Sequence, residues 1–130
     1  MSEVSWSLVA VFGSTGLVMA MLSCLVGMRQ KVEIPLWWVN YAIWIVVVLV
    51  RDVPAPFLTI VIASVVAGIV HGVMQAILLS SYKVNNPWYA DQMKGRESVL
   101  RGQFIVMGIV IGTVFGALVG GIAWGLDRFI

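Results

Sequence analysis

His71 is the one histidine in the chain, and it falls within a long apolar stretch beside a short series of other polar side chains. Ser64, Gly68, His71 and Gln75 are separated by four, three and four residues, which sets them on one face of a helix. Asn40 sits in a second apolar stretch, and Ser23 with Cys24 in a third. A polar side chain surrounded by hydrocarbon turns inward and finds a partner, so Asn40, Ser64, His71 and Gln75 are expected to form one polar layer inside a bundle. The expected state of His71 is a neutral imidazole satisfied by Asn40, Gln75 or a backbone carbonyl. A lone histidine offers only one bond to a metal, and the sequence holds no other cluster with metal-ligand spacing. Nor does it place a base beside a nucleophile or contain a phosphate-binding loop, so no catalytic residues are assigned and an enzyme is not expected.

Ala67 precedes His71 by one helical turn. An Ala-xxx-His pair on a membrane helix resembles the bacteriochlorophyll-binding element of light-harvesting polypeptides, in which a small residue makes room for the ring. The resemblance covers two residues, and those polypeptides cross the membrane once. It implies His71 as the ligand of a pigment; a haem is the other cofactor such a position could hold, with any second histidine supplied by a second copy. The main reading carries no cofactor.

These residues have to be placed by the elements around them, and the composition says which elements those are. With 61% hydrophobic and 11% charged residues in 130, and a mean hydropathy of +1.01, the chain is far from the roughly 25% charged composition of soluble domains. Its charges are segregated between long apolar runs, the arrangement a bilayer imposes. Four membrane-spanning helices are expected at about 5–28, 34–50, 57–79 and 103–126, forming a single all-α transmembrane domain over 1–130. Residues 21–24, Met-Leu-Ser-Cys, loosely resemble a lipoprotein cleavage site. The stretch before them carries Glu3 and no Lys or Arg, so the segment is expected to remain as a span. The single Cys24 has no partner for an internal disulfide and fits a small packing position.

Pro35 suits the first turn of the second span, which places Arg29, Lys31 and Glu33 in a polar turn before it. On that reading no span contains a carboxylate, and the usual carrier of protons or cations within the membrane is absent. Trp37 and Trp38 are expected at a membrane interface, with Tyr41 and Trp44 deeper. Pro54 and Pro56 force a tight reversal, so spans two and three should form a hairpin. Between spans three and four, Asn86, Pro87 and Gly95 bracket a short helix expected to lie along the interface with Trp88 and Tyr89. Glu97 and Arg101, one turn apart, would support an early start of the fourth span.

Glycine recurs on every fourth residue of that span, at Gly108, Gly112, Gly116 and Gly120. Each costs a helix about 1 kcal/mol relative to alanine, which only close backbone packing offsets. Gly68 and Gly72 on span three offer a matching small-residue face. Six Lys and Arg fall in the loops on one side (Arg29, Lys31, Lys83, Lys94, Arg96, Arg101) and two on the other (Arg51, Arg128). The richer side belongs to the cytoplasm, so an antiparallel bundle with both termini outside is expected in a plasma (inner) membrane.

The first functional expectation is a structural or accessory subunit whose glycine helix packs into a homo-oligomer or a larger membrane complex, with lipid as the other partner. The second is a small oligomeric channel or carrier using the Ser64/His71/Gln75 stripe. The third is the pigment or haem subunit. The net charge of +2 forms no basic stripe, so no nucleic-acid partner is expected.

Overall fold

The computed structural model describes residues 3–130, and every regular element among them is helical. Four helical segments are long and apolar enough to cross a membrane: Trp6–Val26, Gln30–Val50, Pro56–Ile77 and Glu97–Asp127. The first comprises α1 (Trp6–Met21) and a π-helical turn, Leu22–Val26. It is followed by α2 (Gln30–Val50), α3 (Pro56–Ile77), two short helices, α4 (Leu79–Asn85) and α5 (Pro87–Met93), and finally α6 (Glu97–Asp127).

The boundaries differ from expectation in instructive ways. α2 starts at Gln30, so Pro35 lies inside it rather than in its first turn, and Glu33 becomes part of a candidate span. Lacking an N–H, Pro35 gives up the backbone bond to the carbonyl of Lys31, a loss tolerated close to a helix start. The loop after α3 contains two short helices instead of one. α6 begins at Glu97, but Glu97 pairs with Lys83 at 2.8 Å and Arg101 donates to the carbonyl of Ala76, so the two do not pair with each other.

The π-helical turn needs outside help. Its widened spiral ends at Gly27, whose N–H bonds the carbonyl of Leu22 at 3.0 Å, and the carbonyls of Ser23 and Cys24 are left without helical partners. The α4–α5 corner supplies them. Asn86 is fully buried; its Nδ2 donates to Ser23 and Tyr82 carbonyls at 2.8 Å each, while its Oδ1 accepts from the Met28 N–H at 3.1 Å. Asn86 thus ties two segments together instead of capping α5 with its side chain, as the sequence had led us to expect. Asn85 donates to the Cys24 carbonyl at 2.9 Å. Gly27 has a φ of +87°, and the Asn85 carbonyl occupies the space a Cβ would need. Glycine is therefore required there on two counts.

α3 lies at the centre, with α1 on one side and α6 on another. Gly16 of α1 abuts the backbone of Ala67, while Gly68 of α3 and Gly108 of α6 meet backbone to backbone. Gly72 faces Phe104, Gly112 faces Ser64 and Val65, Gly116 faces Val61, and Gly120 faces Phe57. α2 attaches through large side chains. Trp44, only 1% exposed, stacks on Phe12 of α1 with ring centres 4.8 Å apart, and Val48 is buried in the same cluster with Ile60 and Val119.

Candidate functional site

α2 is held to the bundle at its Trp44–Val48 end, and towards Gln30 it stands away from α6. The space between them is a cavity of about 590 Å³, floored by Ser64, Gly68, His71, Gly72 and Gln75 of α3. One wall is the α2 face carrying Gln30, Glu33, Trp37 and Tyr41; the other is the α6 face from Leu100 and Phe104 to Ile111 and Phe115. Tyr82, Tyr89, Gln92, Met93 and Arg96 surround the end nearest α4 and α5. From Gln30 to Tyr41 the wall is about 16 Å long at a rise of about 1.5 Å per residue. The volume falls in the range of about 300–1,000 Å³ usual for small-molecule sites.

The lining changes character along its length. Glu33, His71, Gln75, Gln30 and Gln92 gather at the α5 end, whereas Ile111, Phe115, Trp38 and Tyr41 make up the deep end. At the polar end His71 Nε2 lies 3.3 Å from Glu33 Oε1, with the side chains 12% and 19% exposed. The two atoms are close enough for an ion pair but are not aligned for a hydrogen bond, which leaves Nε2 without a hydrogen-bond partner. The Trp37 ring is 5.5 Å from the imidazole. Tyr82, outside the spans, has its phenol pushed up to about 12 by burial and then by the Glu33 carboxylate, so it stays an O–H donor at physiological pH. At the deep end the Tyr41 hydroxyl and Ser64 hydroxyl are 2.8 Å apart and close the cavity.

Ser64, His71 and Gln75 therefore lie in one cavity, but Asn40 lies elsewhere: its Nδ2 donates to Thr15 Oγ1 at 3.1 Å, between α2 and α1. The polar side chain beside His71 is Glu33, which the sequence reading had assigned to a turn. A signal for it was present in the spacing, because Glu33, Trp37, Tyr41 and Trp44 recur at four, four and three residues and share a helix face once α2 is allowed to begin before Pro35. Phe104 and Phe115 gave no comparable signal, since one phenylalanine on an apolar helix resembles another until a neighbour is known. Among the described residues no three His, Cys, Asp or Glu come together as a metal site, and Glu33 with His71 supply two such groups.

Comparison with protein families, curated proteins and solved structures gives no match.

Proposed function

We propose that the chain is a non-enzymatic, multi-pass membrane protein that binds an amphipathic molecule in the cavity between α2 and α6, as a small carrier or binding subunit. The observation that carries this reading is the graded lining: a partly buried carboxylate, an imidazole and amides at one end, mainly aromatic and aliphatic side chains at the other. An amphiphile has the same polarity profile, and the site would gain from burying its apolar part while pairing its head. The lining stops at Tyr41, Ser64 and Phe115, about half of a core roughly 30 Å thick, which favours a binding pocket over a through-pore.

The same helices support the finer topology. Gly68 faces Gly108, Gly72 faces Phe104 and Phe57 faces Gly120, a register that rises along α3 as it falls along α6 and so favours antiparallel neighbours. With six Lys and Arg towards the α4–α5 side and two on the other, the polar end of the cavity belongs at the cytoplasmic face of an inner membrane, with both termini outside.

The accessory-subunit reading draws on a different surface from the one the sequence pointed to. Gly108, Gly112, Gly116 and Gly120 are occupied by α3 of the same chain, whereas Gly121 and Gly125 have nothing within 4 Å of where a Cβ would stand. With the exposed Ala117 they offer a small-residue face for a second copy or another membrane subunit. The pigment or haem reading has less support, because Glu33 Oε1 stands 3.3 Å from His71 Nε2 and crowds the place a metal would take.

Native mass spectrometry from mild detergent tests the cavity. Wild-type protein is expected to carry one bound amphiphile per chain, and Ile111→Trp, which fills the deep end, is expected to lose it. Equal occupancy in the two, or none in either, rejects the reading.

A further inference from the structure

We propose that the cavity selects an amphiphile whose head is an ammonium group, with Glu33 as counter-charge and Trp37 and Tyr82 as aromatic walls. This inference rests on the cavity being the binding site and concerns the chemistry of the head.

Glu33 brings a carboxylate into an apolar cavity, and such a group is stable only with a partner. Its neighbours are His71, whose single nitrogen is out of line, and the indole of Trp37, a neutral donor that leaves the charge uncompensated. Three cations of this end of the protein are engaged elsewhere, and Lys31 and Lys94 are exposed and outside the cavity lining. Arg29 lies over the Trp88 ring at 4.8 Å, Lys83 is on Glu97 at 2.8 Å, and Arg101 is on the Ala76 carbonyl. Among the described residues Arg96 is the one Lys or Arg that lines the cavity, and it stands solvent-exposed at the mouth, where water and salt screen it. The electrostatic demand at the polar end is therefore for a positive charge.

The surrounding groups suit the same occupant. An ammonium beside Glu33 would have the Trp37 and Tyr82 rings in the cavity wall around it, and aromatic rings attract cations most strongly where water is excluded. Gln75 and Gln92 supply acceptor oxygens for its N–H groups. An anionic head would instead sit against the carboxylate at low dielectric, where like charges repel several-fold more strongly than in water. From Glu33 to Tyr41 the slot runs about 12 Å, enough for a chain of about ten carbons or a compact aromatic body.

Two sources share this chemistry, a phosphatidylethanolamine headgroup and a soluble lipophilic amine. The test uses the full chain in micelles of an uncharged maltoside detergent and two photoreactive probes with the same decyl tail, one ending in ammonium and one in sulfonate. The expected result is labelling of residues 104–115 by the ammonium probe, reduced roughly tenfold by Glu33→Gln and largely restored in Glu33→Asp. The sulfonate probe should label that segment weakly and should not displace the ammonium. Competition between the probes on wild-type protein needs no substitution, so it stands even if Glu33→Gln fails to fold. If both probes label equally, compete equally and are both excluded by Ile111→Trp, the cavity holds amphiphiles but the assignment of its head falls. If Ile111→Trp changes neither, the binding site itself is wrong and this inference falls with it. Adding phosphatidylethanolamine to the micelles separates the sources: displacement of the ammonium probe names the lipid, and undiminished labelling names a soluble amine, either of which upholds the ammonium.

Discussion

α6 meets its neighbours in two contrasting ways. Against α3 it presents Gly108, Gly112, Gly116 and Gly120, and the two backbones touch; against α2 it presents Phe104, Ile111 and Phe115, and the helices stand apart around a cavity. The difference lies in side-chain size. In hydrocarbon, apolar burial gives helices little reason to associate, so the closeness of fit sets the strength of each contact. Glycine removes the spacer and maximises van der Waals contact along the α3–α6 seam. Aromatic rings act as spacers, and between α2 and α6 they are arranged so that one end is filled and the other is not. Trp44 and Val48 close the filled end, while Trp37, Trp38 and Phe115 line the open one. A rigid seam beside a propped-open slot is a sound arrangement for a binding site, because a preformed cavity spares the ligand the cost of opening it.

The seam should be the less forgiving of the two. A Cβ at Gly108 would run into the Gly68 carbonyl, an atom of rigid backbone, so Gly108→Leu must separate the helices along their length. Overpacking in a close-fitted core typically costs about 1–3 kcal/mol, and displacement of backbone lies at or beyond the top of that range. The expected outcome is loss of monodisperse protein in size-exclusion chromatography from mild detergent. A variant that elutes and melts like wild type would show that α3 and α6 do not rely on this contact.

A smaller effect is expected where the slot closes. Tyr41→Phe removes the 2.8 Å hydroxyl contact with Ser64 but leaves the ring, which packs between Trp44 and Phe115. The loss should be about 1 kcal/mol, the usual net worth of one hydrogen bond, seen as a lowered thermal midpoint with the protein still folded. A drop as large as that of the seam variant would mean that the slot is as tightly coupled to the fold as the glycine face.

The two regions were also unequally legible. The seam could be read because glycine at every fourth residue is costly in a helix and has few uses other than close approach, so Gly68, Gly72 and the α6 series announced a contact before any partner was known. The four spans were legible for a similar reason, since long apolar runs have few alternatives. The slot was only half legible. Ser64, His71 and Gln75 stand out as polar residues in an apolar helix, whereas Glu33 was hidden by Pro35, which mimics a helix start five residues too late. Asn40 was misplaced because turning inward does not say towards which neighbour; its amide points at Thr15 on α1. A cavity, moreover, is a property of how helices diverge, and no single-helix pattern records it.

The finest discrimination comes from glycines of α6 that share neither surface. Gly121 and Gly125 have open space where a Cβ would stand, so within one chain alanine at either position should be tolerated. Alanine also removes the conformational freedom that glycine brings to a helix, a gain of up to about 1 kcal/mol at each site. Gly121→Ala and Gly125→Ala are therefore expected to raise the thermal midpoint slightly, opposite in sign to substitutions on the α3 face of the same helix. The sign depends on what lies outside the chain. If another backbone packs on Ala117, Gly121 and Gly125 as α3 packs on Gly108 and Gly112, the added methyl would loosen that contact, and each variant would lower both the midpoint and the apparent size on native gels. A rise in midpoint with unchanged size assigns this face to lipid.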